Sequence, residues 1–430
     1  MGHEILVYAD EVTKRLNYTL EVIGDARGIS FSVTNDALRF LNYPGIKVNY
    51  SNFPFEAKVP TIPSSDLLFH EDLRTILQEK KKWQNTDLIA FDGVPDILAS
   101  IFFVVTCYDE YLATELDKHG RMLLKNKTIY KFGWHRQLIV ERWSLAFIRF
   151  IENENNTKIG VKEIPFRVVP TFDIDNTFAF KLKGGPRRWL SISRDWLKRD
   201  KERILLRKEV LEGNCDDPYD TFDKIKSIAK RGFPVHVFWL VGSYAQYDRN
   251  ISIQNAEHRQ VIHKLSEHVT IGIHPSYRSH ASELYLRKEK EDLEELLSHR
   301  VNYSRQHFLK FRIPTTYEHL LNIGITDDFT MGFAEDIGFR MGLSRPVHWF
   351  NLRTNTKTNL VIHPFAYMDG TLLEYQHWDA ENAKNEIQFV KDEVKRFGGD
   401  FIFIWHNETI GDYGKWKGWS DVLDFSLGEG

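Results

Sequence analysis

The sequence is short of cysteine. Cys107 and Cys215 are the only two cysteines among 430 residues, one in an apolar run and the other in a polar turn. Two such positions supply neither a disulfide framework nor a zinc ribbon, and they fit a reducing compartment. The segment Met1–Glu4 also lacks a basic region followed by an apolar stretch, so no signal peptide is predicted. We therefore expect a cytoplasmic protein.

Net charge and long apolar runs are also scarce. The 57 Lys and Arg residues nearly balance the 60 Asp and Glu residues, which leaves a net charge of −3. This balance argues against the strongly basic surface typical of nucleic-acid-binding proteins, so no nucleic-acid partner is expected. The most apolar run, Ile97–Cys107, is too short to span a bilayer and predicts a buried helix. Aromatic residues are abundant, and we expect most of them to fill cores.

The length of the chain and its pattern predict two domains. A polar run, Glu152–Thr157, is the candidate linker between a smaller mixed α/β domain over residues 1–160 and a second domain over residues 161–430. In the second half, apolar strand-like runs alternate with amphipathic helix-like runs. This order predicts a parallel sheet, either doubly wound or closed into a barrel, with functional residues at the carboxyl ends of its strands. The predicted strands cover residues 166–172, 235–241, 270–273, 306–311, 359–362 and 400–405.

Polar side chains cluster at three of these predicted strand ends. Asp173 and Asp175 follow the first strand, and both carboxylates can face one site because residues two apart on an extended backbone point the same way. One could bind a metal ion while the other acts as a base, although such a pair is also common in turns and helix caps. His274 ends another strand and His280 follows in a loop, and imidazole is a common zinc ligand. His406 ends the last strand, where it could act as a general acid or base or bond to a loop.

The region from about Val168 to the C-terminus resembles the NodB-like polysaccharide deacetylases, carbohydrate esterases with a distorted (β/α) barrel. The segments that carry the resemblance are Thr171–Asp175 for the first motif in an Asp-X-Asp form, Val235–Gly242 for the following core strand, Ile271–His274 for the start of the metal-histidine motif, Ser304–Phe311 for the arginine motif, and His406 for the last motif. Residues 95–121 resemble an uncharacterised domain that precedes this module in proteins typical of Bacteroidetes-type bacteria. The resemblance therefore implies an α/β fold in which a smaller domain precedes a deacetylase barrel.

The resemblance also implies roles for individual residues. Asp173 would be the catalytic base, His406 the general acid, and Arg305 the residue that orients the base, with Arg340 as a second candidate for that role. Asp175 and His274 would bind a divalent metal, Zn²⁺ or another ion. The implied enzyme is a hydrolase that removes N-acetyl groups, or as a second choice O-acetyl groups, from a polysaccharide or oligosaccharide by means of metal-bound water.

One departure from the family pattern leaves alternatives open. The family has a second metal-binding histidine four residues after His274, where this sequence has Arg278. We predict that His280 replaces it as the third ligand. Without such a ligand, the chain would be a degenerate deacetylase fold that binds glycan without hydrolysing it. A glycoside hydrolase ranks last, because Asp173 and Asp175 are too close in sequence to flank a glycosidic bond at the required separation of ~5–9 Å.

Overall fold

The computed structural model describes residues 4–55, 58–184 and 199–428, together with positions 193, 196 and 197. Residues 1–3, which enter the signal-peptide prediction, lie outside this part. The described residues form a mixed α/β structure with two three-stranded sheets in the N-terminal half and one nine-stranded sheet in the C-terminal half. No helix within these ranges is long and apolar enough to cross a membrane.

The N-terminal half packs helices around two small sheets. Its strands are β1 (Glu4–Ala9), β2 (Ser30–Thr34) and β3 (Ile46–Tyr50), which pair in parallel in the order β2-β1-β3, and β4 (Gln78–Trp83), β5 (Thr86–Phe91) and β6 (Val94–Pro95), which pair antiparallel. Its helices are α1 (Lys14–Gly24), α2 (Ala37–Asn42), α3 (Ile97–Val105), α4 (Tyr108–Tyr111), α5 (Thr128–Lys131) and α6 (Ile139–Glu154).

The apolar helix α3 begins and ends for identifiable reasons. Its N-cap is Asp96, whose carboxylate accepts a hydrogen bond from the amide of Ala99 at 2.9 Å. The prediction of a buried helix here is confirmed, because every residue of α3 is buried. The helix ends at Val105, and Cys107, which adopts a left-handed conformation with φ 51°, separates α3 from the short helix α4.

The C-terminal half is built on one large sheet. Its strands are β7 (Phe166–Ile174), β8 (His236–Trp239), β9 (Thr270–Ile273), β10 (Tyr303–Ser304), β11 (Asp327–Asp328), β12 (Val347–Asn351), β13 (Thr356–Ile362), β14 (Tyr367–Met368) and β15 (Gly399–His406). Its helices are α7 (Lys201–Glu212), α8 (Phe222–Lys230), α9 (Ala256–Ser266), α10 (Glu283–Leu297), α11 (Thr315–Asn322), α12 (Ala380–Phe397), α13 (Asn407–Ile410) and α14 (Ser420–Leu427). The remaining regular segments are short 3₁₀ turns and one π-helical turn over Thr371–Tyr375.

The strand order in this sheet is β12-β13-β11-β10-β9-β8-β7-β15-β14. All neighbouring pairs are parallel except β12 and β13, so the prediction of a parallel sheet is confirmed. Among the described residues no hydrogen-bonded pairing joins β12 to β14, so the sheet is open rather than a closed ring. The parallel arrangement brings the carboxyl ends of β15, β7, β8, β9 and β10 to one edge.

One predicted strand is wrong. Residues 306–311 form no strand, because the strand β10 ends at Ser304 and a 3₁₀ turn follows over His307–Leu309. Phe308 and Leu309 in this turn have φ values of 59° and 49°, which are incompatible with an extended strand. Leu309 and Phe311 are nevertheless buried, whereas the turn leaves Phe308 exposed.

The two halves of the chain share one hydrophobic core and several polar contacts. The largest cluster of buried apolar residues includes members of α1, α3 and α6 together with members of the large sheet. At the edge strand β12, the Tyr18 hydroxyl donates a hydrogen bond to the carbonyl of His348 at 2.7 Å, and the Tyr18 ring lies 4.9 Å from that of Phe350. A buried carboxylate, Glu141, accepts hydrogen bonds from Arg27 at 2.5 Å and from Arg345 at 2.8 Å.

A second buried ion cluster joins the halves through Glu110. Arg340 donates to both oxygens of this carboxylate, at 2.8 and 2.5 Å, and Lys127 also pairs with it. Burial alone would raise the pKa of Glu110, but the charges of Arg340 and Lys127 outweigh it and lower that pKa to about 2. The Arg340 guanidinium therefore forms an ion pair with Glu110 between the two halves of the chain.

We expect Glu110→Ala to lower the free energy of unfolding by about 3–5 kcal/mol, because it leaves two buried cations without their counter-ion. Denaturant unfolding measures this change. The matched control is Glu115→Ala at an exposed position nearby, which should change stability by no more than about 0.5 kcal/mol. Because the folded-state pKa of Glu110 is depressed below 4.5, its contribution is complete above that pH and is lost as the pH falls toward about 2. A Glu110→Ala protein as stable as the wild type near neutral pH would contradict this assignment.

Candidate metal and catalytic site

Four strand ends at one edge of the sheet supply most of the site. Asp173 lies near the end of β7, directly opposite His406 at the end of β15. His274 follows β9 by one residue, and Arg305 follows β10 by one residue. All four side chains belong to the same edge of the sheet because their strands are parallel and in register. The structure therefore brings together four residues that are far apart in the sequence.

Asp175, His274 and His307 form the candidate metal centre. Asp175 Oδ1 lies 3.2 Å from His274 Nε2, and Asp175 Oδ2 lies 3.2 Å from His307 Nε2. One ligand atom from each residue lies within 4.8 Å of the other two. This donor set consists of one carboxylate and two imidazoles. It suits a catalytic divalent cation such as Zn²⁺, which also needs room for water or substrate.

The hydrogen bonds of His274 show that this donor set fits a cation. His274 Nδ1 lies 2.7 Å from the carbonyl oxygen of Arg305, which can only accept, so Nδ1 carries the proton in the neutral ring. The lone pair of Nε2 then faces Asp175 Oδ1, and both atoms are buried without a hydrogen-bond partner. Two buried acceptors at this distance repel each other unless a positive charge, carried by a metal ion or by a proton on Nε2, lies between them. A divalent cation satisfies both atoms.

The buried carboxylate of Asp248 contacts His307 through the ring nitrogen that points away from Asp175. His307 Nδ1 lies 3.1 Å from Asp248 Oδ1, and Asp248 is fully buried and also accepts a hydrogen bond from the amide of Tyr277 at 2.8 Å. Burial alone would lower the pKa of His307, but the carboxylates of Asp175 and Asp248 raise it to about 9. An acceptor behind a histidine ligand fixes the ring orientation and makes the other nitrogen more basic. Asp248 therefore directs His307 Nε2 toward Asp175.

The third member of the metal group is His307, whereas the sequence predicts His280. His280 lies in a 3₁₀ turn over Ser279–Ala281 and is not a member of the group. Burial and the nearby charges of Lys310 and Arg312 lower the pKa of His280 to about 4. Arg278, at the position of the usual histidine, instead lies over the Tyr285 ring at 4.0 Å.

Arg305 contacts Asp173 directly. Its Nη1 donates to Asp173 Oδ1 at 2.8 Å, and its Nε donates to the carbonyl of Phe329 at 3.0 Å. The guanidinium is fully buried and lies 4.4 Å from the centre of the Phe238 ring. Gly272 permits this packing, since a Cβ there would come within 2.7 Å of the same ring. Arg340, the second candidate for this position, binds Glu110 and forms no ion pair with Asp173 within the part of the chain that the structure describes.

His406 is held by Asp369. His406 Nδ1 lies 2.8 Å from Asp369 Oδ1, and the His406 amide donates to Asp369 Oδ2 at 2.8 Å. The hydroxyl of Thr409 donates to the same Oδ2 at 2.5 Å, so the fully buried Asp369 is fixed on both oxygens. Although burial opposes it, the Asp369 carboxylate raises the pKa of His406 well above its ordinary value. The ring therefore presents Nε2 to the site, where it lies 3.9 Å from Asp175 Oδ2.

These residues surround one open cavity of about 500 Å³. Its floor contains Asp173, Asp175, His274, His307 and His406. Its walls include the apolar or aromatic residues Leu309, Met368, Ile404, Phe308, Tyr375 and Trp416 and the charged residues Arg121, Glu374, Glu408 and Lys415. A polar floor under a partly aromatic wall suits a ligand that has both hydroxyl groups and an apolar ring face.

Glu408 is a further carboxyl group in this cavity. Burial and the nearby Asp175 carboxylate raise its pKa, and it makes a side-chain hydrogen bond with Tyr219. Both residues line the cavity. A carboxyl group whose pKa is raised by burial can donate a hydrogen bond as well as accept one. Glu408 therefore adds a polar contact on the wall next to His406.

Sequence reasoning missed three residues of this arrangement: His307, Asp248 and Asp369. A signal for His307 is present, because Arg305 and His307 stand two apart in the sequence, as Asp173 and Asp175 do. No comparable signal marks Asp248 or Asp369, whose significance lies only in the histidines that they contact.

Comparisons with known proteins give one family match and several similar solved structures. Residues 5–156 match a family described as a family of unknown function, DUF7033. No curated protein matches the chain. Among solved structures, the chain is similar to a protein from Mycobacterium smegmatis assigned as a polysaccharide deacetylase, at 15% identity and a TM-score of 0.40, with 62% of this chain and 84% of that chain covered.

Two further solved structures are similar over nearly the same share of the chain. A protein from Pseudomonas aeruginosa PAO1, also assigned as a polysaccharide deacetylase, has 12% identity and a TM-score of 0.35, with 61% of this chain and 84% of that chain covered. An allantoinase has 11% identity and a TM-score of 0.36, with 62% and 84% covered. At such identities and TM-scores these likenesses carry no information on the roles of individual residues.

Proposed function

We propose that the chain is a metal-dependent hydrolase that removes N-acetyl groups, or as a second choice O-acetyl groups, from a carbohydrate. The observation that carries the proposal is the convergence of Asp175, His274 and His307 beside Asp173 and His406 in one cavity. The proposal includes the division of the chain at residue 160 and the interpretation of the large open sheet as the distorted barrel of the NodB-like deacetylases.

Asp175, His274 and His307 would hold the cation, with Zn²⁺ as the first choice for two imidazoles and one carboxylate. When bound, such a cation polarises the acetyl carbonyl and makes a water molecule more acidic. The support for this binding is the pair of buried acceptors, His274 Nε2 and Asp175 Oδ1, that no protein donor among the described residues satisfies.

Asp173 is suited to act as the base. Its Oδ1 is occupied by the hydrogen bond from Arg305, and its Oδ2 lies 3.8 Å from His274 Nε2, next to the metal group. The second oxygen can take a proton from water as that water attacks the acetyl carbon. The hydrogen bond from Arg305 fixes the direction of this carboxylate.

His406 is suited to act as the acid. Its Nδ1 is engaged by Asp369, so only Nε2 is available on the cavity side. An amide nitrogen leaves only after it has gained a proton, and Nε2 can donate one to it. Asp369 has the orienting role that a carboxylate has behind a catalytic imidazole.

The alternative of a degenerate, glycan-binding fold rested on Arg278 in place of a metal ligand. His307, in the turn that follows β10, offers an imidazole in place of the missing ligand. This replacement favours the enzyme over the binding module. The aromatic and charged wall of the cavity suits a carbohydrate in either case.

Acetate release from N-acetylglucosamine oligomers tests the proposal. We expect the purified chain to release acetate with about one Zn²⁺ per chain, to lose this activity after treatment with a chelator, and to regain it when Zn²⁺ is returned. O-acetylated oligosaccharides are the parallel substrate. A protein that binds these oligosaccharides but takes up no Zn²⁺ and releases no acetate would reject the enzyme and support the glycan-binding alternative.

A further inference from the structure

A turn from the N-terminal half reaches the metal site. This turn, Asp117–Arg121, belongs to the region that matches the family of unknown function, and its Arg121 side chain lines the same cavity as Asp175 and His274. Arg121 Nη1 donates a hydrogen bond to the carbonyl of Phe308 at 3.1 Å. Phe308 is the residue after His307, so the turn touches the segment that carries a candidate ligand.

The turn is internally fixed. The Asp117 carboxylate accepts hydrogen bonds from the amides of His119 and Arg121 at 2.8 and 2.9 Å, and from Arg121 Nε at 2.7 Å. Gly120 closes the turn with φ 80°, a conformation that favours glycine. The flanking residues Leu116 and Met122 form an antiparallel bridge. The turn is therefore held in one shape by its own hydrogen bonds.

His119 is the main contact between this turn and the metal segment. Its ring is 5% exposed and stacks on the Phe308 ring, with the centroids 5.0 Å apart and an interplanar angle of 25°. Its Nδ1 lies 3.2 Å from the hydroxyl of Tyr277, whose amide binds Asp248. His119 thus contacts both the residue next to His307 and the loop that positions the carboxylate behind it.

The contacted segment needs external support. Phe308 and Leu309 are consecutive residues in the left-handed region, which is unfavourable for side chains other than glycine. Within the segment itself, the amides of Leu309 and Lys310 bond to the carbonyls of Gln306 and His307 at 2.9 and 3.1 Å. Such a backbone persists only where the surrounding structure holds it. The stacked ring of His119 and the bond from Arg121 are contacts of that kind.

We infer that the turn Asp117–Arg121 is a positioning element of the metal site, which holds residues 307–309 so that His307 points at Asp175. This assigns a role to the N-terminal region: it completes the site that the C-terminal half carries. His119 and Arg121 are positioning residues, because they act through Phe308 and His307. The metal-binding part of this inference rests on the proposed function, whereas the effect on the backbone of the segment does not.

The test is His119→Ala in the full chain, with two readouts. Hydrogen exchange followed by mass spectrometry should show at least about tenfold faster exchange in peptides covering residues 306–310, because their amides lose support when the turn separates from Phe308. Titration with Zn²⁺ against a competing chelator should show an affinity about tenfold lower than that of the wild type, at the lower end of the range for groups that support a ligand.

Two further variants distinguish the loss of the His119 ring from a general effect of substitution in this turn. Lys118→Ala, at an exposed position in the same turn, should match the wild type in both readouts. His119→Phe keeps a ring on Phe308 and should restore most of the protection and of the Zn²⁺ affinity. Unchanged exchange in both His119→Ala and a His119→Ala/Arg121→Ala double variant would overturn the inference, whether or not the wild type binds Zn²⁺. Altered exchange without Zn²⁺ binding by the wild type would instead overturn only the proposed function.

Discussion

His307→Ala is expected to lower the affinity for Zn²⁺ by more than about 100-fold, while His280→Ala leaves it unchanged. The expectation follows from the geometry, because His307 Nε2 lies 3.2 Å from Asp175 and His280 is not part of the group. Removal of a group that merely supports a ligand weakens metal binding about 10–100-fold, so removal of one of three ligands should weaken it more. Acetate release should be lost together with the metal.

Competition with a chelator measures both affinities, and the two histidines serve as matched variants of one another. The imidazole of His280 is half-buried in a cationic environment, so its removal tests for a general effect of deleting a ring near the loop. A loss confined to His280→Ala would show that the third ligand is the residue predicted from the sequence, whereas equal losses in the two variants would show only a general effect of deleting a ring. Either result would reject the assignment of His307.

Asp173→Asn is expected to reduce turnover by about 10²–10⁴-fold with Zn²⁺ still bound, because the amide cannot accept the proton from water. The substitution preserves the shape of the side chain and keeps an oxygen that can accept the bond from Arg305. Measurements of kcat and of bound Zn²⁺ on the same preparation separate a base from a ligand. Asp175→Asn, by contrast, should lose metal and activity together.

A control for the Asp173→Asn variant is available at the opposite end of the adjacent strand. Asp400 near the start of β15 pairs with Arg167 at 2.7 Å and lies outside the cavity. Asp400→Asn should leave both turnover and bound Zn²⁺ close to wild-type values. Retention of full turnover in Asp173→Asn would remove this residue from the role of base, and the mechanism would then need another proton acceptor.

Much of the sheet can be predicted from the sequence, for a physical reason. Buried parallel strands are apolar on both faces, so β9 and β15 appear as short apolar runs that end at a polar residue. The residues at those ends, such as His274 and His406, can therefore be recognised as a group from the order of the residues alone. Parallel pairing then places them at one edge.

The remainder could not be predicted because it depends on tertiary contacts. The run around Phe308 has the composition of a strand, but two residues of that run are left-handed and are held by groups more than 180 residues away in the sequence. This turn brings His307 into the candidate metal centre, which its distance from His274 in the sequence does not indicate. The role of Arg340 could not be predicted for the same reason, because only the fold shows that its partner is Glu110.

The contact between Tyr18 and β12 also bears on self-association. β12 is an edge strand of the nine-stranded sheet, and an uncovered edge offers free backbone groups to which a strand from another molecule can add. Here the hydroxyl of Tyr18 occupies the carbonyl of His348, and the ring of Tyr18 packs on Phe350. The N-terminal half thus shields this edge from intermolecular β-pairing, and a chain deprived of it would be prone to aggregate through β12.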